Sequence, residues 1–209
     1  MTDVIGLIRT PIGNLQSAFN AFYELGFEPV WVDAGFESYD DLTHLVVPGV
    51  GNFAAVMSYL NRSGLAADIK SFAASGRPLL GICVGMQVLA TIGTEGGETA
   101  GLDLIPGRVE RLSLDPSVRL PHVGWNTVAP TQPHPVLEGI KPGRDFYFVH
   151  SFGMFVEDEA NQAGRTHYGR DFSSIVAHAN IVGCQFHPEK SQVNGLKILE
   201  NFGFWDGRC

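Results

Sequence analysis

The chain has 209 residues, 44% of them hydrophobic and 17% charged, and a formal net charge of −8 from 14 Lys+Arg against 22 Asp+Glu. That length fits one large domain, 1–209, able to bury roughly 70% of its unfolded surface without a disulfide or metal staple. The composition excludes a disordered chain, and the acidic balance without a basic run argues against nucleic-acid binding, which needs clustered cations.

In chain order, Val4 to Ile8 reads as a buried strand, followed by a turn at Gly13-Asn14. Leu15, Phe19, Phe22 and Leu25 then recur at helical spacing up to Gly26. Pro29 to Val32 is a second strand, and Leu42 to Val47 a third, closed by Pro48-Gly49-Val50-Gly51. One helix is expected through Val56, Leu60 and Leu65. Pro78 to Cys83 is a further buried strand running directly into a helix that starts near Gly85. Strands alternating with helices at this spacing call for a parallel sheet covered on both faces. From about Leu104 to Val156 the apolar runs shorten between Pro, Gly and Asn, which predicts antiparallel strands and hairpins. Ser174 to Gln185 adds two strand-like runs, and Gln192 to Phe202 returns to a helix. The expected fold is α/β: a parallel or mixed central sheet flanked by helices, with an antiparallel extension.

Three cysteines, Cys83, Cys184 and Cys209, form an odd and sparse set without CxxC spacing. They predict neither a disulfide framework nor a metal site and suit a reducing compartment. The first residues carry no basic segment ahead of a long apolar one, and no apolar run approaches the ~20 residues that cross a bilayer. A cytoplasmic protein without membrane contact is expected.

Cys83 stands between Gly81 and Gly85 where an apolar strand meets a helix, the pattern of a nucleophile elbow. Flanking glycines tolerate the tight turn and leave room for substrate beside the sulfur, and the helix start favours thiolate over thiol. Cys184, inside an apolar strand, reads as core, and Cys209 as a surface thiol. A cysteine nucleophile needs a base to move its proton and a carboxylate to orient that base. His187 and Glu189, two apart behind the strand Ile181 to Phe186, offer both, although the same residues also fit a solvated turn. Of the other histidines, His44 reads as structural or solvent-facing. His134 lies in a turn, His167 and His178 have no promoting context, and His122 and His150 sit in more suggestive settings. The turn Gly49-Val50-Gly51 offers backbone N–H groups to a developing oxyanion, with the amides near Val50 and Val84 favoured, though such a turn is also an ordinary connection.

Together, PGVG, GICVGMQ and QFHPEKS in this order resemble the class I glutamine amidotransferases. The segments LPHVGWN, FYFVHS and GNLQS extend the resemblance to the glutaminase subunits of imidazole glycerol phosphate synthase, across essentially the whole chain. The resemblance implies the flavodoxin-like fold of these amidotransferases and a Cys83–His187–Glu189 triad hydrolysing glutamine through a thioester, without cofactor or metal. It implies that Gln87 and Glu95, with backbone of Ser151 and Phe152, hold the glutamine. It further implies a heterodimer with a (β/α)8 cyclase partner, with Asn14, Trp125, Tyr147 and Lys190 near the interface. Without it, Asn14 would read as a helix cap, Trp125 and Tyr147 as core aromatics, and Lys190 as a solvated charge. Two positions depart from the family pattern: Arg9-Thr10-Pro11-Ile12 replaces an Asp-Tyr-Gly type segment, and Phe152 stands where Tyr is frequent. Some members of the family amidate surface sugars, so a different ammonia acceptor is the competing expectation.

Overall fold

The computed structural model describes residues 3–11, 15–112, 115 and 117–209. Five adjacent strands, all paired in parallel, form one end of its sheet: β1 (Val4–Ile8), β2 (Glu28–Val32), β3 (His44–Val47), β4 (Leu79–Ile82) and β13 (Ile181–Cys184). They lie in the order β2-β1-β3-β4-β13. Each is hydrophobic on both faces because helices cover both. Ile5 and Leu7 of β1, Val46 of β3 and Leu80 of β4 pack towards α1 (Gln16–Glu24) and α5 (Gln192–Phe204), against Phe22, Leu199 and Phe202. The alternate residues Ile8, Leu45, Val47 and Leu79 pack towards α2 (Phe53–Ser63) and α3 (Leu65–Ala74), against Val56, Leu60 and Phe72. The two-residue alternation of strands thus splits the core into two layers around one sheet.

The sheet continues from β13 through antiparallel pairings into β12 (Arg170–His178), β10 (Phe152–Val156) and β7 (Ile105–Arg111). Beyond them lie β5 (Ala90–Gly93) and β6 (Thr99–Ala100). On β12 a branch leads to β11 (Gln162–Tyr168), then β8 (His122–Pro130) and β9 (Arg144–His150), the last two a hairpin partner pair in which Trp125 lies opposite Tyr147. The mixed sheet with an antiparallel extension is as expected from the sequence.

Two helices differ from expectation. The segment through Val56, Leu60 and Leu65 is split into α2 and α3 by Gly64, whose φ of +83° reverses the chain with little strain in a residue lacking Cβ. Behind Cys83, α4 (Val84–Gln87) is a single turn, because the chain re-enters the sheet as β5 at Ala90. So short a helix has little macrodipole. Its contribution to Cys83 is local, through first-turn N–H groups that lack acceptors within the helix.

Candidate active site

Cys83 sits between β4 and α4 at φ 56°, ψ −113°, a conformation that costs a non-glycine residue of order 1–3 kcal/mol. Two bonds hold it there: Cys83 N–H donates to Cys184 O at 2.8 Å, and Gln87 N–H donates to Cys83 O at 3.1 Å. The neighbouring glycines serve close backbone packing. A Cβ on Gly85 would stand 1.7 Å from Val47 O, and one on Gly81 would stand 2.6 Å from Gly85 O. Neither glycine lines the cavity beside the sulfur, so the room expected there for substrate is instead occupied by the crossing backbones.

His187 follows β13 and caps a turn of 3-10 helix, Pro188–Lys190, that carries Glu189 back beneath the ring. His187 Nδ1–H donates to Glu189 Oε1 at 2.8 Å, and both side chains are buried. Burial, the largest influence on the ring, disfavours imidazolium. Hydrogen bonding and charge interaction with Cys83 and with Glu189 together outweigh it and hold the His187 pKa above its ordinary value. Nε2 itself is buried without a hydrogen bond of full geometry, as is Glu189 Oε2. Catalytic hydrogen bonds are often long or poorly aligned before substrate is in place. The base is also fixed through its backbone: His187 N–H donates to Tyr147 O at 2.9 Å. Ser191 Oγ–H donates to His187 O at 2.6 Å while accepting from Tyr147 N–H at 2.9 Å.

The sulfur opens on a cavity of about 150 Å³. Val50, Gly51, Val84, Gln87 and Glu95 line it, and the continuous segment Val149, His150, Ser151 and Phe152 supplies the rest of the wall. Gly49 is not part of the lining but packs against Val84, whose Cγ1 a Cβ there would meet at 2.7 Å. Glu95 has two duties, since one oxygen accepts from Phe53 N–H at 2.8 Å at the start of α2. Gln87 spends its amide nitrogen on Phe152 O and Gln185 Oε1, both at 2.9 Å, so what it can offer a ligand is its oxygen. Ser151 O accepts from Leu112 N–H, and Phe152 O from both Gln87 and His150. The wall expected to bind through backbone therefore has much of its carbonyl capacity already committed.

Trp125 is 48% exposed and Tyr147 meets it edge-on at 6.0 Å, so Trp125 is not core. Lys190 is exposed, and Asn14 lies outside the described residues. Of the segment that departs from the family pattern, Arg9 reaches Asp33 at 3.4 Å and covers the Trp31 ring; Ile12 lies outside the described residues. His44 is buried in β3 against Trp205 O, which decides between its two readings in favour of a structural histidine. Cys184 is wholly enclosed. Burial first, then the charges of Glu189 and Cys83, push its thiol pKa up and leave it inert. Gln185 escaped the sequence argument: its Nε2 lies 3.8 Å from Cys83 Sγ as donor, and only its place one residue from Phe186-His187 hints at this. Among the described residues no helix is long and apolar enough to cross a membrane, and no group of His, Cys, Asp and Glu could hold a metal ion. A larger apolar hollow of about 690 Å³ beside Pro133, His134 and Ile140 shares no residue with this site.

The model of the glutamine amidotransferase class-I family matches residues 12–205. The chain belongs to that family. It is therefore a glutamine amidotransferase, and its relatives place it in the HisH branch. The chain is 44% identical to the imidazole glycerol phosphate synthase subunit HisH of Sulfurimonas denitrificans, over 95% of this chain and 97% of that protein. It is 43% identical to the HisH protein of Moorella thermoacetica, over 95% and 93%. Among solved structures, PurLQS from Thermotoga maritima matches with a TM-score of 0.76 at 21% identity, covering 97% of this chain and 98% of that one. A glutamine amidotransferase from Thermotoga maritima matches with a TM-score of 0.68 at 17% identity, covering 90% and 77%. At such identities these two speak for the fold alone.

Proposed function

We propose that the chain is the glutaminase subunit of an imidazole glycerol phosphate synthase, delivering ammonia to a (β/α)8 cyclase partner in a heterodimer. The observation that carries the glutaminase part of this reading is Cys83 in the wall of the cavity that Gln87 and Glu95 line, together with the buried His187–Glu189 pair.

In the first step Cys83 Sγ attacks the side-chain carbonyl carbon of glutamine, forming a C–S bond while the carbonyl electrons move to oxygen. N–H groups at Val50 and Val84 are the donors for that oxyanion, where one well-placed donor is worth roughly 10²–10³ in rate. His187, holding the proton from the thiol, delivers it to the amide nitrogen, the C–N bond breaks, and ammonia leaves. Water, deprotonated by His187, then attacks the thioester carbon, and the C–S bond breaks to release glutamate. Glu189 keeps the imidazole in one tautomer and balances its charge throughout. Glu95 is the counter-charge suited to the substrate ammonium, and the Gln87 oxygen is an acceptor beside it.

The partner reading is supported by the outward face of the β8–β9 hairpin. Val123, Trp125 and Val149 are 56%, 48% and 37% exposed there, with Tyr147 beside them. Exposed aromatic and aliphatic groups in one patch mark interaction surfaces. The similarity to HisH proteins favours a histidine-pathway acceptor over a sugar-amidation system.

The test is glutamate release by the chain alone and with its (β/α)8 partner and the partner's nucleotide ligand. Slow hydrolysis alone and faster hydrolysis in the complex is expected. Full activity of Cys83→Ala in that complex would overturn the mechanism, and co-purification with a sugar-modifying synthetase would overturn the acceptor.

A further inference from the structure

His122 and His150 are opposite one another in the register of β8 and β9, with both rings turned into the core. The His122 ring is stacked between Tyr168, at 4.0 Å, and Phe148, at 4.8 Å. His122 Nδ1 and His150 Nε2 are 3.0 Å apart.

The direction of every hydrogen bond through this pair follows from either end. Asn126 accepts from Thr127 N–H with its oxygen at 2.8 Å and donates from nitrogen to His167 O at 3.1 Å, which fixes its amide orientation. Its nitrogen is also 3.2 Å from His122 Nε2, which must therefore accept. A neutral His122 then carries its proton on Nδ1 and donates to His150 Nε2. His150 carries its proton on Nδ1 and donates to Phe152 O at 2.8 Å. Starting from Phe152, whose carbonyl can only accept, the same assignment is reached backwards. Burial agrees with two neutral rings, pushing His122 down to about 4 and, against the opposing hydrogen bond to Phe152 O, His150 down to about 3.

This one-way chain ends on a carbonyl in the wall of the cavity. Phe152 O takes the His150 proton on one lone pair and Gln87 Nε2–H on the other. Gln87 also donates to Gln185 Oε1, and Gln185 reaches the sulfur of Cys83. An apolar pair would fill the same space in the core, but it would leave Phe152 O with the Gln87 bond alone, so the carbonyl that anchors the Gln87 amide would itself be less firmly placed.

We propose that His122 and His150 are positioning residues for glutamine: together they fix the Val149–Phe152 wall and, through Phe152 O, the orientation of Gln87 in the substrate cavity. This rests on glutamine occupying that cavity.

Steady-state glutaminase kinetics of the assembled complex test it. His150→Phe keeps the ring and loses the donor, so KM for glutamine should rise roughly tenfold while kcat stays within about twofold, the worth of one hydrogen bond. His150→Asn restores a donor at the Nδ1 position and should recover most of that rise. His122→Phe should show a smaller rise, and the double Phe variant should be no worse than His150→Phe. A pair that only stabilises the core would lower Tm in all variants and leave KM unmoved, and that result overturns the proposal, as does failure of the Asn variant to rescue. An inactive wild-type complex would instead overturn glutamine hydrolysis itself. If the Phe variants do not fold, nitrogen-15 spectra of the wild-type histidines at neutral pH decide the matter: both rings neutral with the proton on Nδ1 are expected, and a charged ring or the other tautomer in either overturns it.

Discussion

His187 N–H donates to Tyr147 O at 2.9 Å, so the base of the site hangs on the backbone of the very residue whose ring joins the exposed patch. Ser191 closes the loop by bonding both His187 O and Tyr147 N–H. Ser191→Ala removes both bonds at a position that is 0% exposed. It should destabilise the fold by about 1–3 kcal/mol through the orphaned groups, and lower kcat roughly tenfold with KM little changed. Urea unfolding and glutaminase kinetics measure the two effects. An unchanged kcat would mean that the backbone of β9 and of the Pro188–Lys190 turn alone holds the imidazole.

Glu189→Gln keeps the shape of the pair and removes its negative charge. Glu189 is one of the two groups that hold the His187 proton against burial, so the variant should lose kcat by roughly 10²–10⁴, as expected when a tautomer-fixing carboxylate becomes an amide. The sign in pH is determined as well. A histidine whose folded pKa is raised adds stability that is complete below its unfolded value near 6.5 and is lost as pH rises towards the folded value. Stability of the wild type should therefore fall from neutral to alkaline pH more steeply than that of Glu189→Gln. Thermal unfolding between pH 7 and about 9 reads the difference, and parallel profiles would sink this account of the pair.

Acid should act through the opposite kind of histidine. His150 and His122 are neutral in the folded chain, and burial also lowers the pKa of His44 and His134. The unfolded chain takes up protons near pH 6.5, the folded chain only at much lower pH, so stability drops as pH falls below 6.5. One such group costs at most about 1.4 kcal/mol per pH unit, and His122 and His150, which both titrate well below pH 5 in the folded chain, contribute nearly equally there. Carboxylates add little above about pH 5, so the slope between pH 6.5 and 5 belongs mainly to these rings. Replacing His150 by Phe should flatten it in calorimetry. A slope that stays the same would show that His150 is charged in the folded chain.

The strands β1, β3 and β4, the elbow at Cys83 and the spacing of His187 and Glu189 were legible because each is local. Apolar runs name the buried strands, and glycines beside Cys83 name the turn. What the glycines do there was not legible: Gly85 answers to Val47 O, across a different strand. The break at Gly64 was hidden because Val56, Leu60 and Leu65 keep a helical period straight through it. Gln185 and the His122–His150 chain act through partners 102 and 28 residues away in sequence. No periodicity carries such pairings, which arise only when β13 lies beside β4 and β8 folds onto β9.

Trp125 separates stability from association. Its side chain is 48% exposed and rests edge-on against Tyr147, so truncation removes only about half of a tryptophan's area from contact in the isolated chain. Trp125→Ala should lower unfolding free energy by about 1–2 kcal/mol, less than loss of a fully buried aromatic. In a patch that receives a partner, a central tryptophan is the residue type that dominates binding, and its loss typically costs about 2 kcal/mol or more, about thirtyfold in Kd. Calorimetric titration with the (β/α)8 partner measures that loss, while glutamine hydrolysis by the isolated chain checks that the site is intact. Equal affinity of wild type and variant would move the docking face away from the β8–β9 hairpin.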